Sequence, residues 1–379
     1  MALSARQKLR SVYPWRNDTG CVLLVDPEVF LPAMLAAIGT ARSYILLEMY
    51  LVESGAVASS IIQALLDAAE RGVTIHIIFD GFGTRNLNDA DRARLKHPAI
   101  EIAFYHPVRL WPLRRLFVRD HRKLLLVDGR VGFTGGMGFS DGIATDTDEP
   151  IPWHDMVVQF TGTVINDWQQ LFTLQWQRIT SVELSLPEPR PESDATDSSR
   201  LVSSQPARIN PIYGHLRQRA RFTNQRLWVA TAYFLPSWRL RRVMRTVADR
   251  DVDVRLLLPG RITDNPAVRY ASQGFYLALL KAGIRIYEYQ PTFMHTKLAL
   301  VDDWVSLGSS NFDRWSIARN LEANLEIDNP EFAAHVAALF EKDFADSVEI
   351  TLDDWTHRPS GQRWRERIWG MIEEWLDRR

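Results

Sequence analysis

The pattern His-x-Lys-x-x-x-x-Asp occurs twice in this chain, as His121, Lys123 and Asp128 in HRKLLLVDGRVGFTGG and as His295, Lys297 and Asp302 in HTKLALVDDWVSLGSSN. In each copy the apolar run after the lysine reads as a strand, so His and Lys share one face. The aspartate completes the catalytic motif, but its odd offset turns it the other way at the start of a turn. It reads as a buttress and not as a reacting group. Asp128-Gly129 favours a tight hairpin, and both copies run on into small residues. Gly135, Gly136, Ser309 and Asn311 are thereby candidate phosphate-binding positions, offering N–H, hydroxyl or amide donors to an anion. One such match is a weak signal; two, each followed by a small-residue turn, are strong.

The surroundings repeat as well. RLWVATAYFLP carries Tyr233 where SYILLEMYLV carries Tyr50, and VDVRLLLPG answers VTIHIIFDG. Ile100, Ile102 and Pro107 of IEIAFYHP line up with Ile284, Ile286 and Pro291 of IRIYEYQP. The offset stays in a band of roughly 174 to 184 residues, which marks a gene duplication and not a short-period solenoid. Strands alternate with helices in each copy, which predicts an α/β fold of two mixed sheets flanked by helices. Pseudo-twofold pairing of the halves would bring the two His-Lys strands to one interface.

Residues 1–20 are expected to form an N-terminal segment, 21–180 the first half and 208–350 the second. Between them, 181–207 is rich in Pro, Ser and acid and reads as a flexible linker. Residues 351–379 read as an amphipathic C-terminal helix, with Trp364, Ile368, Met371, Ile372 and Trp375 on one face.

At 379 residues the chain can bury a large core. A formal net charge of −1 gives no overall bias toward nucleic acid, and none is expected as a partner. The single cysteine, Cys21, opens the apolar run CVLLV and is read as a small hydrophobe, not a nucleophile. MALSARQKLRSVYPW lacks an apolar stretch of signal-peptide length, and nowhere do about 18 uncharged apolar residues run together. A cytosolic-side protein with peripheral membrane contact is expected.

A phosphodiester held between two His-Lys strands needs positive charge on its anionic oxygens, which Lys123 and Lys297 supply. In-line displacement then needs one neutral imidazole to attack and one protonated imidazole to release the alcohol. Histidine titrates near neutrality, so both forms are within reach. The intermediate is a covalent phosphohistidine. No metal or cofactor is called for, since metal-type spacings such as His-Glu-x-x-His do not accompany the histidines. A catalytic imidazole usually has its second nitrogen held by a carboxylate. Asp155 follows His121, and Glu322 follows His295, at similar intervals, which makes them the candidates for that support.

The paired motifs, together with the GG and GSSN turns, AYFLP, GIRIYEY and NLEANLEI, resemble the phospholipase D superfamily. Within it, the chain resembles bacterial cardiolipin synthases of the short B type, over nearly its whole length apart from the linker and the ends. The resemblance implies a duplicated phospholipase D-like fold with its active site between the halves. It also implies phosphatidyl transfer from phosphatidylglycerol to a second lipid alcohol at the cytoplasmic side of the bacterial inner membrane. His121 would be the nucleophile and His295 the acid and base. Two departures stand out. Gly136 and Gly138 replace the family's Ser/Thr and Asn, leaving Asn311 as the lone asparagine of its type, and the turn after Asp302 is one residue short.

Hydrolysis of the same intermediate by water, as a phospholipase D or a nuclease, is the alternative activity. A non-catalytic lipid-binding protein would not need both His-Lys pairs intact. For membrane contact, the segment Leu110 to Arg119 mixes Trp111, Leu113, Leu116 and Phe117 with Arg114 and Arg115 just before His121, as an interfacial loop would.

Overall fold

The computed structural model describes residues 11–107, 118–142, 150–189, 194–206, 210–313 and 319–358. The interfacial segment except Val118 and Arg119, and the C-terminal helix from 359 on, lie outside the described residues.

The first half runs β1 (Arg16–Val25), α1 (Pro27–Thr40), β2 (Tyr44–Met49), α2 (Ala56–Glu70), β3 (Thr74–Asp80), α3 (Asp89–Arg94), β4 (Ile100–Tyr105), β5 (Lys123–Val127), β6 (Val131–Gly135), β7 (Trp153–His154), β8 (Met156–Thr161) and α4 (Val164–Thr180). The second runs β9 (Asp197–Ser204), α5 (Pro211–Phe222), β10 (Arg226–Thr231), α6 (Trp238–Ala248), β11 (Asp253–Pro259), α7 (Pro266–Gln273), α8 (Tyr276–Leu280), β12 (Arg285–Tyr289), β13 (Phe293–Met294), β14 (Lys297–Val301), β15 (Trp304–Gly308), β16 (Glu322–Asp328), α9 (Pro330–Ala345), β17 (Ser347–Ile350) and α10 (Leu352–Thr356).

Local chemistry sets these elements. Strand β2 is buried at every position, as a central parallel strand should be. Helix α6 starts where the Ser237 hydroxyl accepts from the Leu240 N–H at 3.3 Å, and it buries Leu240, Met244 and Val247 along one stripe. Helix α2 buries Ile61, Ile62 and Leu65 and stops before Gly72, whose φ of +88° suits glycine.

In the first half the strand order is β1-β8-β6-β5-β2-β3-β4; in the second it is β9-β16-β15-β14-β10-β11-β12, with β17 added at the edge. Strands β2, β3 and β4 are parallel, as are β10, β11 and β12, while β5 and β14 run antiparallel to them. The two mixed sheets meet where β1 pairs with β9, so they continue into one sheet of 15 strands. Helices cover both faces. Trp168 and Phe172 of α4, with Phe340 and Phe344 of α9, fill a core shared by the halves. Helices α1 and α2 on one side, and α5, α6 and α8 on the other, cover the remaining face of each half.

The expected flexible linker is corrected at its C-terminal end. Residues 197–204 form β9, which pairs with β16 along its length and sits at the seam of the molecule. Ser-rich composition hid it. Ser199 is fully buried because its hydroxyl donates to Thr19 Oγ1 at 2.8 Å, and Leu201 and Val202 are fully buried beside it. Strand β1 likewise begins inside the expected N-terminal segment, at Arg16. Strand β9 is thus the second copy of β1, and the halves divide between α4 and β9. Cys21 is partly buried on β1, and its thiol is raised by burial, as suits a packing residue.

Candidate active site

Strands β5 and β14 begin at Lys123 and Lys297, which pair with Met49 and Thr231 at the C-terminal ends of β2 and β10. Both histidines therefore emerge at the carboxyl edge of parallel strands, where α/β sheets place their ligands. The segments leading into them are zipped to the opposite half. Strand β13 pairs in parallel with β7, and the His295 N–H donates to the His154 carbonyl at 2.8 Å. Asp120 makes the corresponding bridge to Leu321, and the His121 N–H donates to the Leu321 carbonyl at 3.0 Å. The residue that follows each bridge is the expected acid, so the carboxylates cross over.

Glu322 serves His121, and Asp155 serves His295. His121 Nδ1 lies 3.0 Å from Glu322 Oε2 and 3.1 Å from the Ser309 carbonyl. His295 Nδ1 lies 2.8 Å from Asp155 Oδ2. All three partners only accept, so the proton stays on Nδ1 and Nε2 of each ring keeps its lone pair free for chemistry. Burial, with Lys123 and Lys297 nearby, keeps His121 below its ordinary value against the pull of Glu322. The same combination lowers His295 to about 3. Each imidazole feels the lysine of the opposite half as well as its own, so all four side chains share one electrostatic enclosure.

Lys123 Nζ donates to the His121 carbonyl at 2.7 Å, and Lys297 Nζ donates to the His295 carbonyl. Both lysines are buried, and neither forms an ion pair among the described residues. Burial lowers Lys123 to about 7 and Lys297 to about 8, against the pull of nearby acids. Two adjacent buried ammoniums without a carboxylate contact call for an anion between them.

The remaining candidates divide. Asp128 and Asp302, the motif positions read as buttresses, stand at the far ends of β5 and β14 from the histidines. Asp128 accepts the N–H groups of Arg42, Ser43 and Tyr44 at 2.8 to 2.9 Å, and Asp302 accepts those of Asn224, Gln225 and Arg226 at 3.0 Å each. Each pins its hairpin turn to the start of the neighbouring parallel strand. Gly136 is corrected. Its N–H donates to the Met156 carbonyl at 3.4 Å, and a Cβ there would collide with the Asp155 carboxylate. Gly135 allows close approach of β8, where a Cβ would strike the Met156 carbonyl. Ser309 belongs to the histidine support and not to the phosphate, because its hydroxyl donates to Glu322 Oε2 at 2.5 Å and accepts from the Ala323 N–H at 3.0 Å. Asn311 keeps its expected freedom. It is buried, and its Oδ1 has no hydrogen-bond partner.

The family model for the cardiolipin synthase, phospholipase D-like domain matches residues 34–156 and 216–344, one stretch in each half. The chain belongs to this family. Cardiolipin synthase A of Pseudomonas putida is 32% identical over 364 residues, covering 94% of this chain and 75% of that protein. Cardiolipin synthase A of Pseudomonas aeruginosa strain LESB58 is 31% identical over 336 residues, covering 88% of this chain and 68% of its own. Both relatives are named synthase A. The fold is also that of phosphatidylserine synthase from Haemophilus influenzae Rd KW20, with a TM-score of 0.69 at 12% identity and coverage of 96% and 95% of the two chains.

Several residues around this phospholipase D-like site escaped sequence reasoning. The Tyr50 ring meets His121 edge-on with centroids 4.7 Å apart, and Trp153 lies 4.5 Å from His295. Tyr50 could have been found from its repeat position beside Tyr233; Trp153 carried no signal apart from adjoining Asp155. Tyr233 donates its hydroxyl to Asp264, whose charge acts on Lys297. Behind the site, His154 bridges Asp26 at 2.7 Å and Asp343 at 3.1 Å, and these carboxylates raise it to about 10 against the opposing effect of burial. The bridge fixes the backbone that carries Asp155. Arg119, expected in the interfacial segment, is instead buried, 3.6 Å from Asp80 and over the Phe82 ring.

Proposed function

We propose that this protein transfers a phosphatidyl group from phosphatidylglycerol to a second lipid alcohol, making cardiolipin or a close relative, at the cytoplasmic face of a bacterial inner membrane. What supports the reading is the crossed pairing of His121 with Glu322 and His295 with Asp155 around two buried lysines. Membership of the cardiolipin synthase family supplies the lipid substrate class.

The diester's anionic oxygens sit between Lys123 and Lys297, with the Asn311 amide as a further polar contact. Their negative charge offsets the two ammoniums that suppress imidazole protonation. His295, backed by Asp155, then holds a proton on Nε2 at working pH. The Nε2 lone pair of His121 bonds to phosphorus as the bond to glycerol breaks, and the proton on His295 passes to the leaving glycerol oxygen. Next the acceptor hydroxyl gives its proton to His295 while its oxygen displaces His121 from phosphorus. Glu322 and Asp155 stabilise each imidazolium as it forms.

Incubation of purified protein with labelled phosphatidylglycerol vesicles tests this. A diphosphatidyl lipid with one glycerol released per transfer is expected. Phosphatidic acid as the sole lipid product would replace the transferase reading with hydrolysis.

A further inference from the structure

We propose that the α5–α6 helix pair is a docking face for an anionic phospholipid surface, an inference that rests on the lipid reading above. The two halves carry equivalent helix pairs with opposite chemistry. Helices α1 and α2 contain Glu28, Asp67 and Glu70 and no lysine or arginine. Helices α5 and α6 contain seven arginines and no acid. A chain of net charge −1 is therefore polarised, with its positive end on the second half.

Ion pairs among the described residues neutralise little of this charge. Arg219 pairs with Asp328 at 2.6 Å, but Arg217, Arg221, Arg239, Arg242 and Arg245 make no ion pair among the described residues. A groove of about 530 Å³ runs between the helices, with Ala220, Val243 and Val247 among its lining and arginines along its walls. A second groove of about 530 Å³ flanks α6 and shares Trp238, Arg242 and Thr246 with the first. Large apolar side chains stand out at both ends of the pair, Trp238 at 59% exposure and Phe222 at 75%. Guanidinium groups for lipid phosphates, interleaved with an exposed indole and phenyl ring for the acyl boundary, are the composition of an interfacial surface. An apolar floor of Ala220, Val243 and Val247 between arginine walls, with an exposed ring at each end of the pair, suits a bilayer better than a continuous base-stacking track.

The placement connects this face to the chemistry. Strand β10 ends at Thr231 opposite Lys297, and α6 then begins at Trp238 on that edge and runs back along the sheet. Helix α6 is 11 residues long, about 16 Å, so Arg239 and Arg242 lie within its first two turns from the site. Docking here would hold the carboxyl edge of β10 against the headgroup layer.

Vesicle sedimentation tests the proposal, using phosphatidylglycerol/phosphatidylcholine vesicles, pure phosphatidylcholine vesicles and the triple variant R239Q/R242Q/R245Q. Wild type should bind the anionic vesicles, release them as salt rises, and ignore the neutral ones. Each arginine near an anionic surface is worth about five-fold in binding, so the triple variant should bind roughly 100-fold more weakly. Its turnover of monomeric short-chain phosphatidylglycerol should stay within about two-fold of wild type, since these side chains lie outside the histidine site. Unchanged vesicle binding by the variant would overturn the proposal, as would salt-insensitive binding by wild type, or arginine-dependent binding of a single-stranded oligonucleotide in preference to vesicles. Arginine-dependent vesicle binding without any turnover of phosphatidylglycerol would uphold the docking face and refute the transferase reading instead.

Discussion

The two halves share an order of elements and differ in what they place around it. Behind the first motif lies a buried charged cluster in which Arg122 approaches Glu48 at 3.4 Å and the Asp120 N–H donates to Asp80 at 2.9 Å. At the corresponding lead-in of the second half stand Phe293, Met294 and Thr296, with Ala230 on the strand equivalent to that of Glu48. The acid supports differ too. The second half carries Ser309 and Glu322, a hydroxyl joined to the longer carboxylate; the first carries Gly136 and Asp155, a bare backbone with the shorter carboxylate packed directly against it. Together they show that duplication preserved the positions of the reacting groups and released the supports to diverge, so the two imidazoles are no longer equivalent.

The largest effects should come from breaking the pair of imidazoles itself. His121→Ala and His295→Ala should each lower turnover of phosphatidylglycerol by about 10⁴-fold or more, since nucleophile and acid act as a unit. A substrate with a nitrophenol leaving group, which departs without protonation, should separate them. His295→Ala should still form the acid-labile phosphoryl adduct, and His121→Ala should not. Adduct formation in the opposite pattern would reverse the assignment of nucleophile.

Next come the crossed carboxylates. Glu322→Gln and Asp155→Asn keep the shape but no longer fix the Nδ1 proton, and should cost roughly 10² to 10⁴-fold in kcat. Exchanging the supports is the sharper comparison. Ser309→Gly copies the first half into the second and should cost about ten-fold, whereas Gly136→Ser should be worse, because its side chain meets Asp155. Equal, small effects of the two exchanges would mean that the halves are interchangeable.

A smaller effect concerns pH. Lys123 and Lys297 must be ammoniums to receive the diester, and in the free site they are lowered to about 7 and about 8. Raising pH removes their charge, so kcat/KM should fall above about pH 7 to 8, well before ordinary lysines would lose theirs. His121 must be neutral to attack, and burial holds it below its ordinary value, so the acidic limb should lie below the usual histidine range. A flat profile to pH 10 would count against the lysines as phosphate receptors.

The smallest effect on chemistry should come from the motif aspartates. Asp302→Ala removes an acceptor from three backbone N–H groups and from the Thr223 hydroxyl at 2.6 Å. That should lower stability by roughly 2–3 kcal/mol. Turnover at low temperature should be largely kept. Loss of activity in a well-folded Asp302→Ala protein would place this residue in the reacting set.

Much of this arrangement was legible before the fold was known. Period and motif gave the duplication, the strand face of His121 and Lys123, the buttressing aspartates and both acids, because each depends on local spacing. What escaped depends on contacts distant in sequence. Asp155 and Glu322 follow their own histidines at similar intervals, so the pattern named them without showing that they exchange partners. The glycine turn looked like a phosphate cradle, since composition cannot reveal that the Gly136 N–H is taken by Met156. Strand β9 was hidden by its serines, of which Ser198 and Ser199 place their hydroxyls across the seam, on Asn17 and Thr19.

The crossing of β13 onto β7, and of Asp120 onto Leu321, ties the readiness of both imidazoles to one mechanical variable, the angle between the halves. A small hinge opening at the seam would strip each ring of its proton anchor at the same moment, leaving no state in which only one is armed. An isolated half, expressed by itself, would present a histidine and a lysine with nothing to aim them, and would recover function only by clasping a second copy.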